Sequence, residues 1–142
     1  MAAVAASGGG GKVLQVLVGT HSTQVSHAAS WAATNLTKSI TVSSGSNVLV
    51  LINQLCYSGH SSRGDLRIKR DTTVLRTYNG AHLHEASDFF NFQTTFSTAY
   101  LDESLSAGTY NYKTEGYESQ GDFRTQGYLN TTSTITLIEL SV

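Results

Sequence analysis

Two histidines stand two residues apart in this 142-residue chain, in the segment His82-Leu83-His84, with Glu85 beside them. Alternate residues of a strand point to the same side, so both imidazoles would share one face. Imidazole is a common zinc ligand, and a symmetry axis could bring further ligands from a second copy. His82 and His84 are therefore a candidate metal pair, with two solvated histidines as the alternative. Beyond this pair the sequence indicates no cofactor.

Three tyrosines, Tyr110, Tyr112 and Tyr117, lie in a stretch rich in polar and charged residues. Aromatic side chains with a polar tip can contact sugar rings or protein surfaces, because one part is apolar and the other is polar. These tyrosines are candidate contacts for a glycan or a protein partner. The alternative is cross-strand pairing on a half-buried sheet, which uses the same residue types.

Patterns that mark catalytic centres are absent from the sequence. There is no G-x-S-x-G and no H-E-x-x-H motif, and the adjacent carboxylates Asp102 and Glu103 would point to opposite faces of a strand. Cys56 is the single cysteine and lies in an apolar run at residues 48–57, where a small buried hydrophobic residue is the better interpretation. We expect a protein that is not an enzyme.

Composition excludes two classes of partner. The formal net charge is −1, and charged residues make up 13% of the chain, whereas a nucleic-acid-binding domain needs a strong positive field. No apolar run approaches the roughly 18 residues of a membrane-spanning helix. We therefore expect neither nucleic acid nor membrane insertion. The Ala- and Gly-rich residues 1–11 predict a flexible arm, followed by a single domain at residues 12–142.

Short apolar runs separated by turn-rich segments predict an all-β protein. The chain contains 13 glycines and no proline, and its abundant Ser, Thr and Gly are poor residues for helix interiors. About eight or nine strands can be placed, which favours a jelly-roll-like antiparallel β-sandwich or a barrel. Asn79-Gly80 predicts a tight hairpin turn. Residues 26–34 could form a loop, a short helix or an edge strand.

Three strand-like runs, at residues 13–18, 48–52 and 135–140, are apolar at nearly every position. A strand of an isolated sandwich alternates apolar and polar residues, because one of its faces meets water. We expect one face of these runs to form the core and the other to contact further copies of the chain, unless loops cover it. The residues assigned to these core or interface strands are Val13, Val16, Val18, Val48, Val50, Ile52, Ile135, Leu137 and Leu140.

The energy of burial favours this expectation of an oligomer, and the distribution of charge is compatible with it. Each aliphatic side chain that becomes fully buried contributes roughly 1.5–3 kcal/mol, so three to five per subunit would hold copies together. Residues 1–76 carry seven basic and two acidic residues, for a charge of +5, and residues 77–142 carry two basic and eight acidic residues, for −6. Such halves can attract each other between subunits, although pairing inside one subunit is favoured.

Three segments resemble those of a known group of proteins. They are Gly11-Lys12-Val13-Leu14-Gln15-Val16, Ser43-Ser44-Gly45-Ser46-Asn47-Val48-Leu49-Val50-Leu51 and Ser133-Thr134-Ile135-Thr136-Leu137-Ile138-Glu139-Leu140. Over residues 11–142 the chain resembles small β-rich virion structural proteins of tailed bacteriophages that infect aquatic bacteria. The resemblance implies a structural protein on the outside of the particle, often a homotrimer with a jelly-roll-like sandwich. It transfers no catalytic motif.

Two hypotheses about function follow from the resemblance. The first is a trimeric capsid decoration (cement) protein on the virion surface, whose partners are its own copies and the major capsid protein that it clamps. The second is a tail-fibre or receptor-binding tip that recognises a host surface glycan or protein. The small single domain and the loose N-terminal arm favour the first. A hydrolase or lyase acting on surface polysaccharide would need a catalytic constellation that the sequence lacks.

Overall fold

The computed structural model describes residues 11–59, 61–84, 92–126 and 131–141; for residues 82–84 and 92 it describes the backbone alone. Within these ranges the chain forms ten strands and no helix. The strands are β1 (Val13–His21), β2 (Val25–Ser26), β3 (Ala32–Val42), β4 (Asn47–Ser58), β5 (Ser62–Arg70), β6 (Thr73–His84), β7 (Phe92–Asp102), β8 (Gly108–Gln120), β9 (Phe123–Thr125) and β10 (Ser133–Leu140). No described segment is a helix of the length and apolarity that crossing a membrane requires.

The strands form two antiparallel sheets that pack face to face, so the prediction of an all-β sandwich is confirmed. In the first sheet the neighbours run β1-β10-β4-β7. In the second sheet they run β3-β8-β5-β6. Strand β9 pairs with the last three residues of β4, beyond the part of β4 that pairs with β10, and β2 pairs with β9. The predicted arm lies almost entirely outside the described residues, which begin at residue 11.

The core lies between the sheets and follows the two-residue period of the strands. Its buried side chains include Leu36, Ile40 and Val42 of β3, Val48, Val50 and Ile52 of β4, Ile68 of β5, Tyr112 of β8, and Ile135 and Leu137 of β10. Positions between them along each strand therefore face outward. In β5, for example, Leu66 and Ile68 are buried while Arg67 and Lys69 lie on the opposite face, as the alternation in the sequence predicts.

Two buried carboxylates close one end of this core. Glu139 and Asp102 both lie level with Val48 of β4, one on each side of it in the register of the first sheet. Gln15 donates its amide N–H to Glu139 Oε2 at 2.6 Å, and the backbone N–H of Ser43 donates to Oε1 at 2.8 Å. Burial by itself would raise the pKa of Glu139, but these hydrogen bonds outweigh it and hold the pKa below its ordinary value.

The hairpin turn predicted at Asn79-Gly80 is wrong, because both residues lie inside β6. Gly80 has a φ of 65°, and its N–H donates to Asp65 Oδ1 at 2.6 Å. A left-handed glycine serves a β-bulge as well as a turn, and the pairing of β5 with β6 shifts register here. The chain turns instead at Asp71-Thr72, where Asp71 has a φ of 52°.

Residues 26–34 form the end of β2, a short connection and the start of β3, so the helix alternative is wrong. The backbone groups of this connection bond to neighbouring strands instead of to one another in a helical pattern. His27 donates its backbone N–H to the Phe123 carbonyl, and the Glu118 N–H donates to the Ala28 carbonyl, both at 3.0 Å. The connection is thereby attached to β9 and β8.

His27, the first residue of this connection, is buried, although the sequence places it in a polar loop with no distinguishing pattern. Its Nε2 lies 2.9 Å from Thr125 Oγ1, and its ring centre lies 5.4 Å from that of Phe123. A Cβ atom at Gly116 would lie 2.7 Å from the ring, so only glycine fits there. Nδ1 has no hydrogen-bond partner among the described residues. Burial lowers the pKa of His27 to about 4.

We expect the stability of the protein to fall as the pH decreases from about 6.5 to about 4. In this interval the unfolded state binds a proton at His27 that the folded state does not accept, which costs roughly 3 kcal/mol at the lower limit. Urea unfolding across the interval measures the effect. The variant His27→Gln should have a flatter profile there, and equal slopes for both proteins would contradict the assignment to His27.

Candidate functional site

The outer face of the first sheet carries two complete rows of uncharged, mostly aliphatic side chains. Cross-strand register places one residue of each row on β1, β10, β4 and β7. The rows are Val16, Ile138, Leu49 and Leu101, followed by Val18, Thr136, Leu51 and Ala99. We call these eight residues the apolar face.

The apolar face is open to solvent most at its two edges. The exposed fractions of Val16, Val18 and Leu101 are 52%, 50% and 42%, while its members on the central strands β4 and β10 are half-buried. Leu14, which is 48% exposed, extends the surface at one end. Single exposed aliphatic residues are ordinary, but a contiguous set of this kind makes this face a candidate for contact with another molecule.

The next row along the strands is polar but still uncharged. It consists of Thr20, Thr134, Asn53 and Ser97. The Ser97 hydroxyl donates to Asn53 Oδ1 at 2.7 Å. Among the described residues, no outward position on β1, β4, β7 or β10 holds a charged side chain. An aliphatic centre with a hydroxyl and amide border is the arrangement typical of a protein–protein interface.

The outer face of the second sheet is charged. Glu115 of β8 accepts a hydrogen bond from Arg67 Nε at 2.7 Å and another from Lys69 Nζ at 3.1 Å. Burial opposes ionisation of Glu115, but the hydrogen bonds from these two cations prevail and lower its pKa below the ordinary value. The two outer faces of the sandwich are therefore chemically unlike, and the second sheet is the one suited to water.

An aromatic pair lies on the same charged face. The ring centres of Trp31 and Tyr117 are 5.4 Å apart, and the guanidinium carbon of Arg67 lies 4.4 Å from the centre of the Trp31 ring. Tyr117 is one of the three tyrosines that the sequence predicts as contacts, whereas no pattern in the sequence singles out Trp31. Nothing in the local pattern pairs these residues, because Trp31 precedes β3 and Tyr117 lies far along the chain in β8.

The three tyrosines predicted as contacts have separate surroundings. Tyr112 is fully buried in the core, so its assignment to a contact surface is wrong: it faces inward on β8, and its hydroxyl donates to Asp102 Oδ2 at 2.6 Å. Tyr110 is half-buried and packs against the core, with its hydroxyl donating to the Ser106 carbonyl. Of the three, Tyr117 alone lies on the outer face of the second sheet.

The residues assigned to core or interface strands divide by the face they occupy. The inward ones are Val48, Val50, Ile52, Ile135 and Leu137. The outward ones are Val13, Val16, Val18 and Leu140. The inward five therefore take the core role of this assignment, and the outward four keep the interface role as a prediction. Their sequence neighbours Leu49, Leu51 and Ile138 take the outward positions instead.

The histidine pair and the single cysteine lie on different strands. His82 and His84 lie in β6, opposite Gly64 and Ser62, but their side chains are outside the described residues. No cluster of three or more His, Cys, Asp or Glu residues that could hold a metal ion occurs in the described part of the chain. Burial raises the pKa of the Cys56 thiol to about 12, although a hydrogen bond at the Phe96 backbone acts in the opposite direction. This thiol is an inert core residue.

Comparison with known proteins assigns no family. No family model and no curated protein matches the chain. Among solved structures, the chain is similar to dimeric latent PorU from Porphyromonas gingivalis, with 10% sequence identity and a TM-score of 0.48. The match covers 94% of this chain but 14% of that one, so this chain spans a small part of the PorU length. A likeness at this level carries no argument about function.

We expect Tyr112→Phe to lower the free energy of unfolding by about 1–2 kcal/mol, because it removes a hydrogen bond to a buried carboxylate. Tyr110→Phe is the matched control, since its hydroxyl bonds to an exposed carbonyl that water can satisfy. Its effect should stay below about 0.5 kcal/mol. Urea unfolding of both variants at neutral pH measures the difference. Equal losses would show that the buried hydroxyl has no special role.

Proposed function

We propose that this chain is a structural protein on the exterior of a bacteriophage particle. In this proposal it is a homotrimeric capsid decoration protein that clamps neighbouring coat subunits and performs no catalysis. The resemblance of its first, middle and last segments to phage virion proteins supports the phage assignment. The observation that carries the structural role is the pairing of an apolar face on one sheet with a charged face on the other. A subunit in a layer on a larger shell needs such unlike faces.

We also assign the sandwich to the jelly-roll type. A jelly roll places eight strands in two sheets as two Greek keys. The eight longest strands here divide four and four, in the orders β1-β10-β4-β7 and β3-β8-β5-β6. The first and last of these strands along the chain, β1 and β10, are direct neighbours. This strand order supports the assignment.

The size of the apolar face suits the centre of an interface between copies. Four strands about 4.8 Å apart and two residue rows about 7 Å apart cover roughly 270 Å². A standard interface buries about 800 Å² on each partner, of which the centre is apolar and the border polar. The aliphatic rows would supply the centre, and the row of Thr20, Thr134, Asn53 and Ser97 would supply part of the border.

Self-association provides the first test of this proposal. Analytical ultracentrifugation at micromolar concentration should detect a trimer of the unaltered chain. Leu49→Asp should give a monomer, because a carboxylate at the centre of the apolar face would be buried without a partner. Thr109→Asp, at an exposed outward position of the second sheet, is the matched control and should leave the trimer intact.

A second variant and a defined contradicting result complete this test. Val16→Asp, at the edge of the same row, repeats it at a more exposed position if Leu49→Asp fails to fold. A monomer from the unaltered chain, or equal dissociation of the Thr109→Asp control, would contradict the assembly through this face.

Copy number in purified particles provides the second test. Quantitative mass spectrometry of the phage that encodes this chain should find hundreds of copies per particle, because a decoration protein repeats over the whole shell. A handful of copies would favour the alternative function, a tail-fibre or receptor-binding tip. Absence from the particle would contradict both functions.

A further inference from the structure

Three consecutive rows on the outer face of the second sheet place aromatic and cationic side chains next to one another. The first row holds Trp31, Tyr117 and Asp65, the second holds Ala33, Glu115 and Arg67, and the third holds Thr37, Lys113 and Lys69. We call Trp31, Tyr117, Arg67, Glu115, Lys69 and Lys113 the cationic–aromatic patch.

The patch carries more positive charge than its own carboxylate can balance. Glu115 binds both Arg67 and Lys69, so this group of three keeps one positive charge. Lys113 stands directly opposite Lys69 in the register of β8 and β5, and it forms no ion pair within the described ranges. Two like charges opposite each other on a sheet are destabilising. An anion placed between the two lysines would relieve that repulsion.

The other end of the patch offers an apolar ring surface beside hydrogen-bonding groups. Trp31 and Tyr117 are half-buried, and the Arg67 guanidinium lies over one face of the Trp31 ring. Ala33 follows on β3 and is exposed, with a side chain that ends at Cβ, and residues 34–36 form a bulge between it and Thr37. Glu115 lies opposite Ala33 across the register. A ligand there would meet ring carbons on one side and both donors and acceptors on the other.

We propose that the cationic–aromatic patch binds an acidic oligosaccharide, one whose sugar rings carry carboxylate or sulfate groups. The sugar ring would pack against Trp31 and Tyr117, and its acidic group would lie at Lys113 and Lys69. Tyr117 and Lys113 are four residues apart on one strand, a distance of about 14 Å, so the ligand is longer than one sugar unit.

The mixed charges of the patch favour a saccharide over a nucleic acid. Single-stranded nucleic acids also bind to aromatic rings flanked by cations. A phosphate backbone, however, would meet the carboxylate of Glu115 in the middle of the patch, and Asp65 stands opposite Tyr117 in the register. Sugar hydroxyls can donate hydrogen bonds to such carboxylates, whereas phosphate oxygens cannot.

The proposal goes beyond the decoration role and does not depend on it. The patch lies on the opposite side of the sandwich from the apolar face, so it stays accessible when that face is covered by other copies. Saccharide binding is a property of the purified chain, whereas the decoration role is tested by copy number in particles. A failure of saccharide binding therefore does not bear on the decoration role, and a low copy number in particles does not bear on saccharide binding.

Intrinsic fluorescence tests the proposal directly, because Trp31 is the single tryptophan of the chain. The protein is titrated with oligogalacturonate for carboxylates, a heparin oligosaccharide for sulfates, and neutral dextran as the uncharged probe. We expect a saturable change in Trp31 emission with at least one acidic probe and none with dextran. Calorimetry with the same probes detects any binding that leaves the emission unchanged.

Matched variants locate the binding. Lys113→Gln should weaken the affinity for the acidic probe about fivefold, the range of one exposed ion pair. Lys12→Gln removes the same charge just before β1 and should have no effect. Tyr117→Ala should abolish the change in Trp31 emission and reduce the calorimetric affinity.

Three outcomes would overturn the proposal. One is the absence of binding to either acidic probe by both methods at millimolar concentration. Another is equal weakening by Lys113→Gln and Lys12→Gln, which would mean general charge attraction. The third is tighter binding of oligothymidylate than of the acidic oligosaccharides, which would assign the patch to nucleic acid.

Discussion

The two-residue period of the β-strand is the constraint on which the rest of this structure depends. Every strand has two faces, and in a two-sheet sandwich only one of them reaches the core. In β4 and β10 both faces are aliphatic, so satisfying the core with Val50 and Leu137 leaves Leu49 and Ile138 outside. The apolar face is thus a direct consequence of strand geometry acting on these runs. The outer surface of the first sheet therefore interacts unfavourably with water.

Buried polar groups determine how the two sheets meet around that core. At one end, Asp102 receives both the Tyr112 hydroxyl and the Arg70 guanidinium, which connects β7 with β8 and β5. Glu139 is bound in the same row by Gln15 and the Ser43 backbone. Each group loses its hydrogen bonds if a strand shifts by one residue, because the shift would turn its side chain to the other face. These contacts therefore favour a single register.

The unlike faces connect the fold to the proposed roles. A sandwich with an aliphatic first sheet and a charged second sheet has one side for contact with proteins and another for the solvent. Assembly through the apolar face would leave Trp31, Tyr117 and the neighbouring lysines pointing away from the other copies. The same asymmetry thus supports the decoration role and keeps the proposed saccharide site accessible.

Composition and periodicity alone were enough to determine the all-β class, the core strands and the presence of aliphatic residues on two faces, because these depend on residues close together in the chain. Tertiary structure decided which face each residue takes and which distant residues meet. In the folded sandwich Tyr112 and His27 are buried, Gly80 lies in a bulge instead of a turn, and the rings of Trp31 and Tyr117 lie close together. Such contacts depend on strand register and sheet order. Those are set by packing over the whole sandwich, which no local pattern records.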